Sequence, residues 1–289
     1  MKFDFFTFGG RFFWEDVFNY QNWVIQRHIR TQKYRLLDNF GIRRDSGSFE
    51  ECKNTLLKYI NACEIESPYS DSIILLHNFG HSKFSMNRIA ESLKDLKANV
   101  IAFNYPFLFK SLNHQANIFE SFIKNLDNKG KLYFITNGTG CLLLRRFLAQ
   151  IDNYRDYNIA GVLDINPLNS GSDLADLLRR SNFLRKIFGP MLLDITPKKA
   201  LDIPKLPKEI PHSLLFYPPS YTQLVKKLLK RYESFPFSTP PSESSYADDV
   251  QTINQPRFFP LNDSELGKIC HYFVCNCKLP PAPSAEKSK

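Results

Sequence analysis

The chain has 289 residues with 38 Lys and Arg against 29 Asp and Glu, a formal net charge of +9, and is 43% hydrophobic and 23% charged. That balance excludes a disordered or fibrous chain and allows one large domain or two small ones with a full core. No segment reaches the ~20 apolar residues of a membrane-spanning helix; the short basic pairs, such as Arg43-Arg44 and Arg145-Arg146, come with no nucleic-acid-binding motif; and residues 1–13 lack the apolar core of a secretion signal. The expectation is a cytoplasmic protein without a nucleic-acid partner.

Residues 23–29 and 34–37, rich in aromatic and branched side chains around a polar turn, predict a β-hairpin. Residues 49–63 place Phe49, Cys52, Leu56, Leu57 and Ile60 on one helical face. Strands at 72–76, 99–103, 131–136 and 159–165 then alternate with helices at 83–96, 112–126 and 141–151. Short, continuously apolar strands alternating with helices predict a parallel sheet covered on both faces, with the hairpin as an antiparallel edge. Residues 169–211 break the rhythm with short helical stretches and a Pro/Lys-rich run, and read as a cap-like insertion. A strand at 213–217, a helix at 221–232, a Pro/Ser-rich loop at 234–245, a strand at 257–261 and a helix at 264–275 capped by Ser264 complete the pattern. The expected organisation is an N-terminal extension with the hairpin (1–48), a main domain (49–277) and a disordered tail (278–289). Cys270, Cys275 and Cys277 lie near His271 without a zinc spacing, so they read as reduced structural thiols, and neither metal nor cofactor is expected.

The segment Leu132-Tyr-Phe-Ile-Thr-Asn-Gly-Thr-Gly-Cys141 runs from a strand through a turn of small residues directly into a helix. Upstream lies Leu75-Leu-His-Asn-Phe-Gly-His-Ser82; Asn104-Tyr105-Pro106 and Asn166-Pro-Leu-Asn-Ser-Gly171 follow later strands. On these segments, across roughly residues 23–277, the chain resembles the α/β-hydrolase family of lipases and esterases. The resemblance implies a three-layer α/β-hydrolase fold, with a mostly parallel central sheet, an N-terminal antiparallel hairpin and a cap or lid insertion.

It also implies roles. Gly138 takes the place of the nucleophilic serine, between Asn137 and Thr139. Phe79 and Thr139 would supply the two backbone amides of an oxyanion hole, and Asn78 replaces a glycine beside it. Asp249 falls on the triad acid and Asp263 on the triad histidine, while His77, Asn78, Asn137 and Tyr105 would line the cleft. Glycine tolerates a positive φ but offers no attacking atom, and an aspartate is a poor substitute for a histidine as proton shuttle. The resemblance therefore implies a pseudo-hydrolase, a binding or scaffolding protein for a lipid or acyl ligand or a protein partner. Two other readings stay open: an ester hydrolase with Thr139 as an unusual nucleophile, and a peripheral membrane protein using the basic surface and aromatic start. Convergence of Asp249 and Asp263 on Gly138 with no histidine nearby would favour the inactive protein; His114 or His212 beside Thr139 would favour the enzyme.

Overall fold

The computed structural model describes residues 11–63, 69–106, 109–126, 130–216, 246–253, 261 and 263–281. Two sheets form. The first takes β1 (Trp14–Tyr20), β2 (Trp23–His28), β3 (Tyr34–Leu37) and β4 (Arg43–Gly47) in that order, every pair antiparallel. The predicted hairpin is β2–β3. Ile25 and Leu36 project from it onto Cys52 and Leu56 of α1 (Phe49–Cys63), making a small core of their own. The sheet is thus a separate layer rather than an edge of the main sheet, and α1 packs on it rather than on the main domain with which the sequence grouped it.

The second sheet is wholly parallel. Its strands are β5 (Asp71–Leu76), β6 (Ala98–Phe103), β7 (Leu132–Asn137), β8 (Ile159–Ile165), β9 (His212–Phe216) and β10 (Asp249–Thr252), in the order β10-β9-β8-β7-β5-β6. Side chains alternate across it. Leu76, Phe103, Phe134 and Val162 meet α3 (Leu112–Lys124) and α4 (Gly140–Gln150) on one face. Leu75, Ile135, Leu163 and Leu215 meet α2 (Asn87–Ser92) and α9 (Ser264–Asn276) on the other. No helix among the described residues is long and apolar enough to cross a membrane.

Four short helices, α5 (Asp173–Leu178), α6 (Asn182–Phe188), α7 (Met191–Asp194) and α8 (Pro197–Leu201), fill the insertion between β8 and β9. They do not stand off as a separate cap. Ala175, Met191, Leu192 and Ala200 are buried in the same core as α3 and α4. Arg145 of α4, itself buried, donates to the carbonyls of Asn169 at 2.8 Å, Pro204 at 3.1 Å, Ala200 at 3.3 Å and Ile203, tying the insertion to the helix.

Buried acids dock the first sheet on the second. Glu15 pairs with Arg27 at 2.5 Å and His114 of α3 at 3.1 Å. Burial pushes its carboxyl up, but the bonds from His114 and Arg27 outweigh this and hold it below the ordinary range. Asp16 accepts from Gln26 at 2.5 Å, Lys83 at 3.2 Å and the Asn104 amide at 2.9 Å. The helix expected at 221–232, the loop at 234–245 and the strand at 257–261, apart from Leu261, lie outside the described residues.

Candidate active site at the turn between β7 and α4

Every residue of β7 is buried, and its ladder to β8 ends at Asn137 opposite Ile165, whose carbonyl also accepts from the Gly138 amide at 3.0 Å. Gly138 then turns at φ +55°, and α4 begins two residues later. The turn is tight because the helix abuts β5: a Cβ on Gly140 would lie 2.8 Å from the Leu76 carbonyl oxygen. Asn137 is buried and donates to the Ile165 carbonyl at 3.3 Å, so its side chain braces the strand end.

The space beside Gly138 is filled by Asn78. A Cβ built on Gly138 would fall 2.2 Å from the Asn78 Cγ and Oδ1. That oxygen accepts from the Phe79 amide at 2.8 Å and from the Thr139 amide at 2.9 Å. These are the two amides that the sequence resemblance assigned to an oxyanion hole. Both neighbours are N–H donors, so the carboxamide must present its oxygen to them. One side chain therefore fills the space beside Gly138 and bonds both amides that the resemblance assigned to an oxyanion hole.

The flanking groups are equally engaged. His77 is fully buried and stacks on Tyr105 at 4.1 Å between ring centroids. Its Nδ1 donates to the Asn78 carbonyl at 2.9 Å and its Nε2 accepts from the Tyr105 amide at 3.4 Å, which fixes the neutral tautomer. Burial pushes its pKa down to about 3. The Tyr105 hydroxyl donates to the His77 carbonyl, and burial raises its pKa. Thr139 is buried at the start of α4 with φ −69°, an unstrained helical value, and its Oγ1 accepts from the Phe79 amide at 2.7 Å.

The two aspartates do not join this group. Asp249 opens β10, three strands from β7 in the sheet order, or about 14 Å at the usual strand spacing. Its Oδ2 accepts from the Leu279 amide at 2.8 Å, so it fastens the chain after α9. The sequence reading misplaced it because the strand beginning there was not foreseen. Asp263 caps α9, accepting from the Glu265 amide at 3.0 Å, and lines a crevice with Arg88 and Ser92 of α2 and with no residue of the turn. The anticipated convergence on Gly138 is absent, and its reason is local: each carboxylate is committed to a backbone amide of its own segment's surroundings.

Neither anticipated histidine approaches Thr139. His114 is held by Glu15, and His212 bonds Asp164 at 2.9 Å and the Tyr246 carbonyl at 2.7 Å. The last pair belongs to a buried polar line that the sequence reading missed, in which the Thr136 hydroxyl donates to Asp164 Oδ1 at 2.6 Å. Asp164 amid the apolar run of β8 was the available signal. Both ring nitrogens of His212 lie against oxygen atoms, the Asp164 carboxylate and the Tyr246 carbonyl. The line ties β7, β8 and β9 together beneath the turn.

Above the turn, Phe12, Phe79, Phe109 and Phe188 pack together, with the Phe79 and Phe188 rings 5.6 Å apart. The crevices beside Asp263, Asn22, Arg35 and Asp194 are lined by none of Asn78, Gly138 and Thr139.

No protein-family model and no curated protein matches the chain. Among solved structures it is similar to the mature form of lipase BlEst2 from Bacillus licheniformis, at 15% identity and a TM-score of 0.55, over 73% of this chain and 94% of that one. The propeptide form of the same lipase matches at 13% identity and a TM-score of 0.53, over 78% of this chain and 54% of that one. At such identities the likeness is one of fold, and the fold is that of the α/β hydrolases.

Proposed function

We propose that this α/β-hydrolase-fold protein is catalytically inactive and serves as a binding or scaffolding protein, with a lipid or acyl ligand or a protein partner, in the cytoplasm. One observation carries the inactive reading: the Asn78 oxygen sits on both amides that would stabilise an oxyanion, and its carboxamide fills the volume a nucleophile's Cβ would need. Ester hydrolysis requires those donors to be aimed at the oxygen of a tetrahedral intermediate. An internal acceptor at 2.8–2.9 Å leaves no site for it.

Thr139 does not rescue the chemistry. Its hydroxyl oxygen is taken by the Phe79 amide and buried, and a threonine nucleophile needs a base within about 3 Å. His77 spends both ring nitrogens on backbone groups.

The test is labelling with a fluorophosphonate probe, together with turnover of p-nitrophenyl butyrate. Neither is expected above the background of heat-denatured protein. Labelling that disappears in Thr139→Ala would overturn the proposal and restore the esterase reading.

A further inference from the structure

The first sheet uses one face against α1. Its other face, with Val24, Gln26, Arg35, Leu37 and Arg43, looks across a gap of about 700 Å³ to β6 and α2. That volume lies within the range of small-ligand pockets. The Asp16 amide bonds the Asn104 carbonyl at 2.9 Å, and among the described residues the two sheets share no ladder.

Its charges are unevenly matched. Asp38 is spent on Arg44 at 2.7 Å and on the Phe40 and Ile42 amides, and Lys83 is spent on Asp16. Arg35 and Arg43 have no carboxylate within ion-pair distance among the described residues. Arg35 bonds only the neutral Gln26 oxygen, at 2.6 and 2.9 Å, and lies 4.0 Å over the Trp14 ring. Burial pushes its pKa down to about 10; the attraction of Asp16 opposes this, and the smaller repulsion of Arg43 adds to the fall. A half-buried guanidinium beside a second one is a poor arrangement in itself and a good one for an anion held between them.

The other walls mix amide and apolar side chains, with Asn19, Asn22, Asn39 and Asn87 among the former. Val100 and Ala102 of β6 form the far wall, and Phe40 and Phe84, 80% and 46% exposed, stand at the lip. We infer that this groove binds an amphipathic anion, a phosphate or carboxylate head between Arg35 and Arg43 with an acyl or alkyl chain along Val100 and the lip phenylalanines. The site is separate from the turn at Gly138, and the inference holds whether or not that turn is catalytic.

Titration calorimetry with monomeric dodecyl phosphate tests it. Binding is expected, at least about tenfold tighter than for dodecyl maltoside and for inorganic phosphate, since charge-assisted bonds and a buried chain each contribute about an order of magnitude. Arg43→Gln, on an exposed side chain, should weaken binding about tenfold; Phe40→Ala about threefold; Arg155→Gln, outside the groove, not at all. Arg35→Gln is read only if its circular dichroism matches the parent, and Arg43→Gln carries the test without it. Equal affinity for the maltoside, or Arg43→Gln without effect, overturns the anion site. Inorganic phosphate binding as tightly as dodecyl phosphate overturns the amphiphile, and binding seen only to phosphatidylserine vesicles overturns a single-molecule ligand in favour of a membrane surface.

Discussion

The turn at Gly138 and the groove beside Arg35 are built from the same materials, backbone ends and polar side chains between packed elements, and they end in opposite states. At the turn the polar groups are paired inside the chain: the Thr139 amide on Asn78, the Phe79 amide shared between Asn78 and the Thr139 hydroxyl, and both His77 nitrogens on backbone groups. In the groove Arg35 is left with a neutral amide and an aromatic ring, and Arg43 has no ion pair among the described residues. Internal satisfaction closes a site, because any ligand must first displace bonds worth about 1–3 kcal/mol each when left unmade. A site short of counter-charges invites a ligand instead. The contrast separates a retained fold from a retained function more sharply than the missing serine does.

The largest effect should come from loosening the insertion that Arg145 ties to α4. Arg145→Met strands the carbonyls of Asn169, Ala200, Ile203 and Pro204. Urea unfolding should show a loss of about 4 kcal/mol, with faster amide exchange across 169–205. Unchanged exchange there would mean that the insertion holds itself in place without Arg145.

Restoring the serine is the next test. Gly138→Ser puts a side chain at φ +55° and drives its Cβ into Asn78. The expected destabilisation is about 3 kcal/mol, part conformational and part steric. Asn78→Gly in the same chain should remove the steric part, giving a coupling energy of about 2 kcal/mol in a double-mutant cycle. Additive single-mutant values would show that Asn78 swings aside readily and that the turn is not plugged.

How much of this contrast could be read beforehand follows from the range of the interactions. Parallel strands buried on both faces, such as Ile73-Ile-Leu-Leu76, announce themselves as apolar runs, and the glycine of the turn is marked by its neighbours; both signals are local. β1 and β4 were missed because buried Glu15 and Asp16 and exposed Arg43 and Arg44 hide the alternation, and the partners of the two acids lie on β2, on α3 and in the segments just before α2 and just after β6. Asn78 was visible as a departure from glycine, but its reach into the space at Gly138 joins residues 60 positions apart. Asp249 was aligned by order along the chain alone, and the strand it opens has only four residues. The groove, which needs two sheets placed against each other, left no local trace.

Acid sensitivity gives a smaller effect and probes the closed side. The folded pKa of His77 lies near 3, below its unfolded value, so the unfolded chain takes up the proton first as pH falls. The stability tied to neutral His77 is full above about pH 6.5 and declines below it by about 1.4 kcal/mol per pH unit, reaching about 2 kcal/mol at pH 5. Glu15, a carboxyl held low, is lost at more acid pH and does not enter this window. His77→Asn, which can keep a donor to the Asn78 carbonyl, should flatten the decline between pH 6.5 and 5 in urea titrations. A slope equal to the parent's would place the sensitive proton elsewhere and open the tightly bonded picture of the turn to doubt.

The smallest effect on stability belongs to the open side, and it discriminates best between the two regions. Arg43 is exposed on an edge strand, with no carboxylate partner among the described residues. Its replacement by Gln removes one of two neighbouring positive charges while leaving the sheet's ladder to β3 intact. The loss of a surface cation should change unfolding free energy by no more than about 0.5 kcal/mol, and relief of the repulsion on Arg35 should make the change neutral or slightly stabilising. A group kept for the fold behaves as Arg145 should, costing stability on removal. A group kept for a ligand costs binding and leaves stability alone. Thermal melts of Arg43→Gln with and without dodecyl phosphate separate the two: the parent should gain melting temperature with ligand through mass action, and the variant should match the parent without ligand and gain little with it. A variant that is markedly less stable without ligand would make Arg43 a structural residue, and the two regions would then differ in exposure and not in purpose.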